Sequence, residues 1–190
     1  DLQASIYLES SDLLGEIVDG PSRRQTMRLR RLSIDQESIR LQLEELLELH
    51  PDLTESLLVT GIHEMVDAWS LDVSETLSEG DIDLRTLDQE SMIMDSILNL
   101  VSALQDDPPQ QETFQQNEQG SQAGGEESAD GSSDSQPEPL IPPLAELEML
   151  RSLQEQVYAR TIRAEKNSND DTRTLDDIAD MQKRLHDLGT

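Results

Sequence analysis

The stretch His63-Glu64-Met65-Val66-Asp67 is where the chain comes nearest to a hydrolytic metal pattern. Zinc hydrolases carry His-Glu-x-x-His on a helix, which puts ligands at i and i+4 on one face with the Glu as base. Here Asp67 stands in the second ligand position, which is chemically admissible. The other histidines, His50 and His186, stand in unrelated contexts, and Met65 and Val66 belong to an apolar stripe. An ordinary amphipathic helix is the favoured reading, and a metal-dependent hydrolase centred on His63 and Glu64 is the competing one. Glu79 to Glu90, "EGDIDLRTLDQE", spaces carboxylates like a calcium loop, but Leu84 occupies the sixth position, where an EF-hand needs Gly. Cysteine is absent, which excludes disulfides and thiolate chemistry. Phosphate-cradling glycine loops and nucleophile elbows are missing too, so the expectation is no enzyme, no cofactor and no metal.

Charge narrows the partners. With 14 basic and 41 acidic residues the chain has a net charge of -27. Such a field repels nucleic-acid phosphates and anionic lipid, so no nucleic acid is expected as a partner. One segment runs against it: "RRQTMRLRR" holds Arg23, Arg24, Arg28, Arg30 and Arg31. It reads as a helical face neutralised by neighbouring acids, or as a patch for an acidic partner. A further alternative is a regulatory subunit whose arginine patch its own acidic linker masks.

The tetrapeptide Asp-Gln-Glu-Ser occurs at Asp35 and again at Asp88, each time after a hydroxyl residue and an aliphatic one. Ser33-x-x-Gln36 and Thr86-x-x-Gln89 both have the capping-box form, in which an N-cap hydroxyl and a Gln satisfy each other's backbone N–H groups. The acids that follow favour the positive end of the helix dipole. The repeat therefore reads as architecture, with Ser33, Gln36, Thr86 and Gln89 as helix caps and Thr174 as a weaker third case. Two helical hairpins of related plan are consistent with it.

The elements that carry these residues are helical. Only 2% of residues are aromatic, so the core must be largely aliphatic, which suits helix-on-helix packing. Leu29, Leu32, Gln36, Ile39, Leu43 and Leu46 line one helix face, and Leu58, Ile62, Met65, Val66 and Trp69 line a second. Met94, Ile97, Val101 and Leu104 give a third stripe, and residues 2–18 a further helix. The fold class expected is all-α: helical hairpins or a small bundle over residues 1–105, a long acidic linker over 106–142, and a C-terminal helical hairpin over 143–190. From Asp106 to Pro143 there are nine acidic residues and no Lys or Arg, a composition that predicts disorder. No apolar run reaches the roughly 20 residues of a membrane span. A first residue of Asp rather than Met fits a leader or anchor removed upstream.

The segment "LIPPLAELEMLRSLQEQVYART", Leu140 to Thr161, resembles a C-terminal segment of uncharacterised bacterial envelope proteins. There a Pro-Pro-x-Ala-Glu-Leu-x-x-Leu-Arg-x-Leu-Gln pattern follows an acidic linker. "MIMDSILNLVSAL" resembles helices of the same group. The resemblance implies an extracytoplasmic helical protein and carries no activity. On its own residues the segment offers Leu144, Leu147, Leu150 and Leu153 as an apolar face, with Arg151 as positive charge nearby. Leu147, Leu150, Gln154, Val157 and Thr161 also read as a heptad seam, and Leu175, Ile178, Gln182 and Leu185 as another. Such faces predict a protein partner, or self-association, through helix surfaces. The function expected is a non-enzymatic interaction or scaffold protein.

Overall fold

The computed structural model describes residues 2–105, 141, 143–166 and 172–188. It is all-helical: α1 (Leu2–Glu16), α2 (Arg23–Leu49), a 3-10 turn (Pro51–Glu55), α3 (Leu57–Glu79), α4 (Leu84–Gln105), α5 (Pro143–Lys166) and α6 (Thr172–Leu188). No strand occurs among the described residues. No helix among them is long and apolar enough to cross a membrane. The linker expected to be disordered lies outside the described residues except for Ile141, which is buried.

Helices α1 to α4 close a ring: α1 packs on α2, α2 on α3, α3 on α4, and α4 back on α1. A second ring shares two of those helices, since α5 packs on α4, α6 on α3, and α5 on α6. The shared helix α3 must therefore hide a wide arc. Its ten buried residues include Leu58, Val59, Ile62, Met65, Val66, Trp69 and Leu77, so the stripe read from its sequence is the core face. On α2, Leu29, Leu32, Gln36 and Ile39 are buried, and Leu43 and Leu46 pack beside them. Gly80 ends α3 in the left-handed region, at φ 81°. A side chain there would be strained and would also meet Thr26.

The cap assignments at the repeat are overturned. Helix α2 begins ten residues before Ser33, at a capping box formed by Ser22 and Gln25. Ser33 lies mid-helix, and its Oγ donates to the Ser74 carbonyl of α3 at 2.7 Å. Gln36 is fully buried, and its Nε2 donates to Ser70 Oγ at 3.1 Å. At α4 the cap is Asp83, whose Oδ1 accepts from the Thr86 N–H at 2.7 Å and from the Thr86 hydroxyl at 2.9 Å. Thr86 and Gln89 are buried, and Gln89 Nε2 donates to Asp72 of α3 at 2.7 Å. Thr174 is in the first turn of α6, two positions after the helix begins at Thr172. The stripe from Leu29 already runs through position 33, and a helix that hides a continuous face has no reason to start in its middle.

The repeat thus has a structural meaning other than capping. Its two glutamines enter α3 from its two neighbours, Gln36 from α2 and Gln89 from α4, and meet residues only two positions apart. Ser22→Ala and Asp83→Ala are each expected to cost about 1 kcal/mol. Ser33→Asp, harmless at a cap, is expected to cost on the order of 2 kcal/mol because it sets a charge against a carbonyl. Urea unfolding of the three variants checks this, and a silent Ser33→Asp would restore the cap.

Candidate functional site

The residues of the hydrolase pattern go to three destinations. Glu64 is exposed, Asp67 pairs with Arg40 of α2 at 3.0 Å, and His63 lines a small cavity. Among the described residues no group of three His, Asp or Glu side chains is placed to hold a metal ion. The cavity beside His63 is of about 20 Å³, enough for one water, and is walled by Leu43, Leu46 and Leu47 of α2, Val59 of α3, and Ile97 and Leu100 of α4. Two of its polar atoms are buried without a hydrogen-bond partner: His63 Nε2 and Ser96 Oγ.

No residue of α1 lines this cavity, and helix lengths explain why. Helix α1 has 15 residues and α2 has 27. Arg28, near the start of α2, pairs with Glu9 and Glu16 of α1 at 3.0 and 3.3 Å. At the other end of α1, Gln3 Nε2 donates to the Glu90 carbonyl at 3.4 Å. With Ser10 also on Glu90 at 2.7 Å, α1 packs on the first half of α4, and among the described residues the last turns of α2 and α4 run on without a fourth helix against them. This corrects the reading of α4. Its buried residues over this stretch are Met92, Ile93, Ser96, Leu100 and Ala103. Of the expected stripe, Met94 and Ile97 are half-buried, while Val101 and Leu104 are 42% and 39% exposed.

Comparison with protein-family models, with curated proteins and with solved structures finds no match to this chain. What the protein does must be argued from its own side chains.

The buried polar groups are the first of these. Glu90 is fully buried between α4 and α1, where Ser10 Oγ donates to its Oε1 at 2.7 Å. Its Oε2 has no partner, and neither does Oε1 of the buried Gln3. Burial pushes the Glu90 carboxyl up to about 7, against the pull of the Ser10 hydroxyl. In the second ring Arg160 is buried, with Nε on Asp88 at 2.6 Å and Nη1 on Met181 Sδ at 3.2 Å. Arg163 shares Asp88 at 2.6 Å. A cleft of about 170 Å³ opens between α3, α4 and α6, floored by Trp69. Its inner polar groups hold one another: Arg85 bridges Asp72 at 2.8 Å and Asp177 at 2.9 Å. That cleft is the joint between the two rings.

The arginine cluster is dispersed around α2. Arg28 is tied to α1, Arg31 faces Asp35 at 3.9 Å, Arg30 Nε donates to the Ser78 carbonyl at 3.4 Å, and Arg23 and Arg24 are exposed. In α5 only Leu153 of the expected leucine face is fully buried; Leu150 is half-buried, and Leu144 and Leu147 are 57% and 63% exposed. Arg151 pairs with Glu155 on the surface at 2.9 Å. The packed face is Ala145, Met149, Leu153, Val157, Arg160 and Ala164. Sequence reasoning did not place Glu90 or Arg160 in the core, although spacing could have done so. Glu90 stands three residues before Ile93, and Arg160 three after Val157, each on the buried side of its helix.

Proposed function

We propose that this chain is a non-enzymatic helical interaction protein that binds a partner through a helix face. The observation that supports it is the apolar stripe Leu43, Leu46, Ile97, Val101 and Leu104, which runs on past α1 without a covering helix among the described residues. Isolated exposed leucines need no explanation, but a continued stripe on two adjacent helices is the surface a further helix would bury. The polar side chains argue the same way, since Asp67, Arg40, Asp72, Arg85 and Asp88 are occupied in pairs that join helix to helix. A setting in the bacterial envelope belongs to the same proposal and rests on the resemblance of the 140–161 segment.

Selection from a displayed library of amphipathic helical peptides tests the reading. Enrichment of binders with micromolar or better affinity, about −8 kcal/mol or stronger, is the expected result. A library that yields none removes the proposal. Stoichiometric zinc in the purified protein, lost in His63→Ala, would remove it in favour of the hydrolase.

A further inference from the structure

We infer that the groove between the last turns of α2 and α4 receives a basic amphipathic helix from a partner protein, laid in line with α1. The inference rests on the interaction reading above and names its surface and its ligand. Shape is the first argument. Among the described residues a fourth helix, the 15-residue α1, covers only part of the 27-residue α2, which runs on past it for roughly ten residues to Leu49. That run of ten residues is about 15 Å of helix, enough for three turns of a partner. The floor beneath it is Leu43, Leu46, Leu47, Ile97 and Leu100, at the spacing a helical ridge fills.

Charge decides the kind of helix. From residue 41 to residue 84 the chain has twelve acidic residues and no Lys or Arg. From 86 to 105 it again has no basic residue. Glu44, Glu45, Glu48, Asp52 and Glu55, at the open end, are all exposed. The nearest arginine, Arg40, is held by Glu37 at 2.7 Å and by Asp67 at 3.0 Å. A second copy of this chain would bring a further net charge of -27 to the contact, which disfavours self-association. A helix with lysine or arginine beside its apolar stripe meets no such repulsion and draws on long-range attraction during encounter. The floor also holds the two unpartnered polar atoms, His63 Nε2 and Ser96 Oγ. Both are buried, so a water trapped in that cavity, and not a group of the partner, is what would satisfy them.

The test uses the full chain and two synthetic peptides of about 14 residues, roughly four helical turns. Both carry leucine on one face; one has lysine on the flanks and the other has glutamate. The lysine peptide is expected to bind, with nuclear magnetic resonance shifts centred on Leu46, Ile97 and Leu100, and to weaken as salt rises. Val101→Asp sits at a half-exposed position the fold tolerates, and it should weaken binding by about tenfold or more. Glu45→Lys with Glu48→Lys, both on the surface, should weaken it while leaving the melting temperature in place. Absence of binding by the lysine peptide, or equal binding by the glutamate peptide, overturns the inference. A footprint on Leu144 and Leu147 instead would overturn it too, yet leave the interaction reading standing. Wild-type dimerisation abolished by Val101→Asp would assign the groove to a second copy and likewise overturn it.

Discussion

Between about pH 4.5 and pH 7 the wild-type protein is expected to lose stability that a Glu90→Gln variant keeps. The Glu90 carboxyl is buried with one hydrogen bond, and its value rises from 4.5 to about 7 in the folded protein. A carboxyl raised in this way is favoured in its protonated form by folding. The associated stability is complete below the unfolded value of 4.5 and is lost as pH climbs through the folded value of about 7. A span of about 2.5 pH units at roughly 1.4 kcal/mol each gives a loss on the order of 3 kcal/mol. Other carboxylates superimpose their own slopes, so the informative quantity is the difference between wild type and variant across pH.

Glutamine has the shape of the acid and needs no proton. Its carbonyl oxygen keeps the bond from Ser10 Oγ, and its uncharged amide does not carry the desolvation cost of a buried carboxylate. Glu90→Gln should therefore match the wild type at pH 4 and exceed it by on the order of 3 kcal/mol at pH 8. Urea unfolding at a series of pH values measures this. Parallel curves for the two proteins would show that Glu90 reaches water or a counter-charge in solution.

The second large effect is expected at Asp88. Arg160 is 5% exposed, and Asp88 is its carboxylate partner at 2.6 Å. Removing one member of a buried ion pair strands the other's charge, so Asp88→Asn should cost about 3 kcal/mol. The exposed Arg163 on the same carboxylate adds little to this. Loss should concentrate in the second ring: hydrogen exchange would quicken along α5 and α6 while α2 and α3 stay protected. The double variant Asp88→Asn with Arg160→Met removes the stranded charge as well. It should recover most of the stability, because apolar replacement of buried pairs is often neutral. Equal stability of Asp88→Asn and wild type would mean that Arg160 is solvated.

The fold class was readable before any coordinates, and so were two core faces. Leu29, Leu32, Gln36 and Ile39 on α2, and Leu58 to Trp69 on α3, are buried as their spacing predicts. Helical period is a local property, so it shows that a face exists and which residues share it. The same reasoning went astray on α4 and α5. There the apolar residues are spread around more of the helix, and the period alone does not say which part is covered. On α4 the answer depends on α3, α5 and a short α1, and on α5 the outward Leu144 and Leu147 look no different in sequence from the inward Leu153.

The caps were misplaced for a related reason. A hydroxyl followed three residues later by glutamine is compatible with a helix start. It is equally compatible with two polar side chains that reach across to a neighbouring helix. Ser33 and Gln36 do the latter, with partners 41 and 34 residues away. The sequence by itself determined the helices, the strongly acidic surface and the absence of thiol chemistry, because these follow from composition and short-range spacing. Only the tertiary structure decided that Glu90 and Arg160 are buried, that His63 and Glu64 part company, and that no described helix covers the groove beyond α1. Each of these depends on which distant helix arrives at a given face, and burial in that setting changes what a charged or apolar side chain costs.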